Sequence, residues 1–276
     1  MKPPAPVIVL ELFPEVRAAL LALLNGLTAE EWTRPTVCAG WCVKDIAQHL
    51  LAGDIGVLSR RRDAFTPPGK PIESWSDLVA LINRLNETWT AATRRLSPRV
   101  LCDLLTWAGP QVEEYFASLA PHGISVPVDW ASPEPAPVWL DLAREYTERW
   151  HHQQQIRDAV GRPGLTERRY LAPALEAFVH ALPRTYCDET APDGTVVQLT
   201  VTGEAGGEWF VVRENAAWKL YVEVNSAPAA RVTLEAGDAW RLFTKGLRKE
   251  EARSRAVLAG DVHLAGKMLE TISILG

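Results

Sequence analysis

The sequence predicts a two-domain α+β protein, a four-helix bundle followed by a smaller module of strands and helices. Three observations carry this reading. The chain has 276 residues of which 47% are hydrophobic, enough to bury two cores. Up to about residue 165 the apolar residues recur at intervals of three and four, and beyond it they alternate with polar ones. The boundary falls near Gly161 to Thr166, giving domains 1–163 and 164–276.

In the first helix Val16, Ala19, Leu20, Leu23 and Leu24 share a face, Pro14 fits the first turn and Gly26 ends it. Thr28 and Glu31 form a capping-box pattern for a short following turn. A second helix runs from near Val43 past Leu50 with Ile46, Ala47, Leu50 and Leu51 as its stripe. A third spans about Asp77 to Leu96, after which Ser97 as N-cap and Pro98 as first helical residue open the next segment. Gly109-Pro110 is expected to break or kink that segment. Pro121 to Pro137 holds five of the 20 prolines and therefore reads as a long connection. The last helix of this part extends from about Val138 to Val160, closed by Gly161 and Pro163. Four long helices with loops between them argue for a bundle. In the second part TVVQLTVTG, EWFVVRE, AWKLYVEV and ARVTLEA read as strands, with helical stretches near Tyr170 to Leu182, Asp238 to Gly246 and Leu264 to Ile272.

Composition excludes several function classes. With 29 Lys+Arg against 34 Asp+Glu the net charge is -5, so nothing draws the whole chain to nucleic acid or to an anionic membrane. Basic residues cluster only at Arg60-Arg61-Arg62 and Arg94-Arg95, too sparse for a base-stacking platform. The start has no secretory apolar run and no stretch is long enough to span a bilayer, so a cytoplasmic location is expected. A Gly-rich phosphate loop, a dinucleotide fingerprint and a Gly-x-Ser-x-Gly elbow are all lacking. Cys38, Cys42, Cys102 and Cys187 are too few and too unevenly placed for a disulfide framework and suit a reducing compartment. Cys38 and Cys42 read as small buried hydrophobes, because no Cys-x-x-Cys second half accompanies them. Trp32, Trp41, Trp75, Trp89, Trp107, Trp139 and Trp150 fall in or beside the bundle helices and are expected to pack as core or line a cleft.

The residues with chemistry to offer lie on two helices. Glu148 and His152 are four apart, one above the other on a helix face, and such a pair can chelate one ion. His49 sits mid-helix one turn after Ile46, where a bundle can bring it opposite as a third ligand. Two His and one carboxylate leave a position open, the arrangement of catalytic zinc and related divalent metals. The apolar stripe Trp139, Leu142, Tyr146, Trp150 points away from Glu148, which favours an ordinary solvated pair. Ile156 and Ala159 continue the Glu148 and His152 row, which points to a helix buried on two sides. His151 lies ~100° around the helix and should miss the ion, neighbouring the site or facing solvent.

The segment TVCAGWCVKDIAQHL resembles the Cys-x-Gly-Trp-x-Val-x-Asp-x-x-x-His-Leu signature of DinB-like bundle proteins, in particular the branch related to mycothiol-dependent maleylpyruvate isomerase. TERWHHQQQIRDAVGRP resembles the Glu-Arg-Trp-x-His segment of that branch, and the two occur in the right order. GEWFVVRE, DAWRLFTKGL and AGDVHLAGKML are similar to its sterol-carrier-like C-terminal domain. The resemblance implies a DinB-like metal-binding bundle over 1–163 and a sterol-carrier-like domain over 164–276, with His49, Glu148 and His152 as ligands of a divalent metal, zinc foremost. It also implies a low-molecular-weight thiol as co-substrate beside a small-molecule substrate: a thiol transferase or thiol-dependent isomerase in which the metal activates a thiol or water. The alternative is a non-catalytic small-molecule binding protein using the cleft between the bundle and the C-terminal domain. Two departures stand out. Gln155 replaces the usual Asp three residues after the second ligand His, removing a charge that orients a ligand or a base. The family's C-terminal catalytic arginine has three candidates, Arg241, Arg248 and Arg253, each of which can equally be a surface residue.

Overall fold

The computed structural model describes residues 1–68 and 72–275. The architecture is two-domain α+β, and the chain clusters into two compact units. The helical unit is built from Val9–Ala120 and Glu148–Gly164, the mixed unit from Met1–Ile8, Pro121–Thr147 and Leu165–Ile274.

The helical unit contains α1 (Leu12–Asn25), α2 (Ala29–Trp32), α3 (Val43–Gly56) continued by a π-helical turn (Val57–Arg62), α4 (Trp75–Thr93), α5 (Pro98–Ala117) and the C-terminal part of α6 (Val138–Val160). The joint at Ser97-Pro98 fully separates α4 from α5, because the Ser97 side chain accepts from Val100 N–H and Pro98 has no N–H to offer the preceding turn. Thr28 and Glu31 close the capping box that starts α2. At the head of α3 the Asp45 carboxylate accepts the backbone N–H of Cys42 at 3.0 Å and fixes where that helix begins. Leu101, Cys102, Leu105, Ala108, Val112 and Phe116 of α5 form the row that packs on α1 and α3.

Four sequence expectations need correcting. Helix α5 passes through Gly109-Pro110 without a break. The bond lost at Pro110 is outweighed by the buried row on either side of it. The Pro-rich connection contains a two-stranded antiparallel ribbon, β1 (Ile124–Pro127) and β2 (Pro135–Pro137). Such a ribbon has an open edge along which a proline's missing donor goes unnoticed. Trp75 and Trp107 are 45% and 57% exposed, on the outward rows of α4 and α5, and so are not core. Cys38 and Cys42 are only half-buried and their thiols are hydrogen-bonded, to Gln155 and Asp45 respectively, so they are polar partners rather than apolar filler.

The mixed unit holds the ribbon, the first part of α6, then α7 (Arg168–Phe178), a 3-10 turn (Val179–Ala181) and α8 (Leu182–Thr185), followed by β3 (Val196–Thr202), β4 (Gly207–Glu214), β5 (Ala217–Tyr221), β6 (Ala230–Glu235), α9 (Ala236–Phe243), α10 (Lys249–Arg255), β7 (Val257–Gly260) and α11 (Val262–Met268). Its five-stranded sheet has the order β5-β4-β3-β6-β7, with β3 and β6 parallel and the other pairs antiparallel. Helices α9 and α11 pack against β3 and β6, burying Leu199, Val201, Val232 and Leu234. Tyr186 donates its hydroxyl to Leu264 O at 2.6 Å, tying the segment after α8 to α11.

Candidate metal centre

The three residues singled out by spacing meet within the helical unit. His49 comes from the middle of α3, and Glu148 and His152 from consecutive turns of α6. One ligand atom from each lies within 4.8 Å of the others. His49 Nε2 is 3.8 Å and His152 Nε2 3.4 Å from Glu148 Oε2, and the two imidazoles meet edge to face with centroids 4.6 Å apart. Solvent reaches the cluster mainly through His49 and Glu148, whose side chains keep 20% and 28% of their surface. Two imidazole nitrogens and a carboxylate oxygen at this separation suit a divalent cation in both number and donor type.

Helix α6 supplies its ligands from an unusual stretch. Every residue from Trp150 to Ile156 is buried, although His151, His152, Gln153, Gln154 and Gln155 are polar. Burial on two sides is thus realised, and each polar group is given a partner to offset its lost hydration. Gln153 donates to Val16 O of α1 at 3.0 Å and accepts from Arg157. Gln155 Oε1 lies 2.7 Å from His152 Nδ1 and 3.3 Å from Cys38 Sγ. Arg149, beside Glu148, reaches Asp54 of α3 at 2.7 Å and lies over the Phe13 and Phe116 rings. These contacts fix the rotation of α6 and hence where Glu148 and His152 point. His151 stays out of the ligand cluster but is buried, its ring 4.0 Å from that of His152, so it neighbours the site rather than the surface.

His49 is framed by Trp41, with ring centroids 5.3 Å apart, and by Asn86 of α4, whose Oδ1 is 3.2 Å from His49 Nδ1. Asn86 escaped the sequence reading. The signal was a polar residue in the half-buried row Ile82, Asn86, Trp89, Thr93 of α4. Burial pushes the His49 pKa down and favours neutral imidazole. Burial also opposes charge on Glu148, but the imidazoles of His152 and His49 beside it outweigh burial and hold this carboxyl well below the usual range. Burial raises the Cys38 thiol, which stays protonated at neutral pH.

The arginines considered for catalysis lie in the mixed unit. Arg241 stacks on Trp240 at 4.5 Å and donates to Gly237 O, while Arg248 and Arg253 are exposed.

The fold is thus that of a bundle protein, joined in one chain to an α+β unit, whose long helices gather two imidazoles and a carboxylate. The family model of the mycothiol maleylpyruvate isomerase N-terminal domain matches residues 13–157, more than half of the chain, and the protein belongs to that family. A mutant of the mycothiol-dependent maleylpyruvate isomerase is similar in structure with a TM-score of 0.53 at 13% identity, over 92% of each chain. A second crystal structure of that isomerase gives 0.50 at 13% identity, over 84% of this chain and 86% of the other. At such identity the likeness establishes the two-domain fold. A comparison with curated proteins gives no match.

Proposed function

We propose that this protein is a divalent-metal-dependent enzyme of small-thiol chemistry, a thiol transferase or thiol-dependent isomerase. In this reading His49, Glu148 and His152 hold the ion, zinc foremost, and residues 164–276 form a sterol-carrier-like domain. The observation that carries it is the convergence of those three side chains within 4.8 Å, inside the stretch covered by the family match. The similar crystal structures are of an isomerase that depends on mycothiol, which makes a thiol of that kind the first co-substrate to test.

The chain's own groups fit such a role. Glu148 is held ionised and supplies the negative charge a cation needs, while His49 is kept neutral and able to ligate. A bound divalent ion would supply Lewis acidity, favouring the thiolate form of a thiol brought to it. Cys38 and Cys42 are both raised by burial and stay protonated, so neither of these thiols beside the cluster serves as its reactive sulfur. The solvent-reached side of His49 and Glu148 is where that thiol enters.

The test is metal content by plasma mass spectrometry on untagged protein, followed by turnover of thiol and electrophile pairs beginning with mycothiol and maleylpyruvate. About one divalent ion per chain, lost together with turnover in His49→Ala and His152→Ala, is expected. A wild-type protein that holds no stoichiometric metal after incubation with zinc, nickel or manganese would overturn the proposal.

A further inference from the structure

Both imidazoles of the cluster are gripped from behind by neutral carboxamides. We propose that Asn86 and Gln155 are positioning residues that lock His49 and His152 in the Nδ1–H tautomer and so keep both Nε2 lone pairs turned toward Glu148. The purpose assigned to this lock rests on the metal reading above, whereas its geometry stands by itself.

A neutral imidazole has one donor nitrogen and one acceptor nitrogen, and the partner of the first decides the direction of the second. His152 Nδ1 is 2.7 Å from Gln155 Oε1, and His49 Nδ1 is 3.2 Å from Asn86 Oδ1. The amide orientation at Gln155 has an independent check. The same Oε1 is 3.3 Å from Cys38 Sγ, and a protonated thiol is a donor and only a weak acceptor. The thiol thus marks this atom of a buried side chain as the oxygen, and an acceptor 2.7 Å from Nδ1 calls for the ring proton there.

The consequence appears on the other side of the rings. With both protons committed to the amides, the two Nε2 lone pairs face Glu148 Oε2 at 3.8 and 3.4 Å. That arrangement directs two imidazole nitrogens and a carboxylate oxygen at one another, the donor set a cation takes. Were the amides absent, each ring would place its proton on Nε2 and donate to Glu148, closing the cluster as an internal hydrogen-bonded knot. Asn86 and Gln155 thus select the open arrangement over the closed one.

The two grips differ in stiffness. Gln155 is one turn from His152 on the same buried helix. Asn86 rides on α4, whose one buried residue is Thr90. That helix is held to α3 largely by polar contacts: Trp89 Nε1 to Gln48 O at 2.8 Å, Gln48 Nε2 to Thr93 O at 2.6 Å and Lys44 Nζ to Arg94 O at 2.8 Å. The tautomer of His49 therefore depends on the docking of α4.

Long-range proton–nitrogen correlation spectra of nitrogen-labelled, metal-free full-length protein at neutral pH read the tautomers directly. Zinc affinity by chelator competition reads the consequence. The wild type should show Nδ1–H at both rings. Gln155→Met should release His152 alone to Nε2–H, and Asn86→Leu should release His49 alone, each weakening zinc binding by about 10- to 100-fold. Gln155→Glu, which restores an acceptor in the same place, should keep Nδ1–H at His152 and bind zinc at least as tightly as the wild type. Nε2–H in the wild type, or variants that change neither tautomer nor affinity, would overturn the proposal. Nδ1–H at both rings in a protein that fails to bind zinc would uphold the tautomer lock and overturn the metal reading instead.

Discussion

His180 shows how a single buried atom can set the acid limit of a domain. Its Nε2 is buried without a hydrogen-bond partner among the described residues, its ring meets Trp139 edge-on at 5.4 Å, and burial pushes its pKa down to about 4. A histidine depressed in the folded state and near 6.5 in the unfolded one costs nothing above pH 6.5, and stability is lost as pH falls from there toward 4. The loss amounts to about 3 kcal/mol at one pKa unit per 1.36 kcal/mol. Urea melts of wild type and His180→Phe at intervals from pH 7.5 to 4 should diverge over that window, the variant losing less; parallel curves would refute the assignment. At this scale the sequence revealed what has local spacing. Glu148 and His152 stand out because they are one turn apart, and the motif around Trp41 draws in His49. The pairing of Cys38 with Gln155 joins residues 117 positions apart, and no local pattern encodes it. Asn86 was hidden for the same reason, its meaning lying in a neighbouring helix.

Among the elements, α6 was legible almost to the residue, since Pro137 and Gly161 bracket a long uninterrupted stretch and Gly161 adopts φ +68, a conformation that ends a helix readily. Strands β3, β5 and β6 were legible because apolar and polar residues alternate along much of their length, and β4 because Trp209 to Val212 form a short apolar run of strand-favouring residues. The ribbon β1–β2 and strand β7 were not, because three or four residues carry too little alternation and prolines argue against pairing. The continuity of α5 was misjudged at Gly109, and packing explains why glycine stands there. A Cβ at 109 would lie 2.1 Å from Cδ and 2.9 Å from Nε of Arg17 on α1, the side chain that pairs with Glu113 at 2.7 Å. In an exposed helix Gly→Ala gains about 1 kcal/mol. Here Gly109→Ala should instead cost about 1–3 kcal/mol, the range for overpacking, by driving Arg17 off its partner. Adding Arg17→Ala should restore the ordinary sign, and a Gly109→Ala protein more stable than wild type in chemical denaturation would contradict this account of the crossing.

For the whole molecule, family membership spans residues 13–157 and the fold likeness over 92% of the chain survives at 13% identity. The layout was readable from hydrophobic period, while the grips behind the imidazoles were not. Among the described residues no helix is long and apolar enough to cross a membrane. The ion proposed for the cluster makes a prediction at this scale, because a ligand that binds only the folded state stabilises it by about 2.7 kcal/mol at a free concentration 100 times its dissociation constant. The stabilisation must be felt first where the ligand atoms are anchored. Hydrogen exchange followed by mass spectrometry should therefore slow on zinc addition in peptides from α3 and from the part of α6 after Thr147, and α4 should follow through Asn86. Chelator should reverse the effect, and Glu148→Gln, which keeps the shape but removes the charge, should abolish it. Equal slowing in Glu148→Gln would mean that zinc acts elsewhere on the surface. Slowing confined to α3 and α6 would mean that α4 docks independently of the ligand it touches.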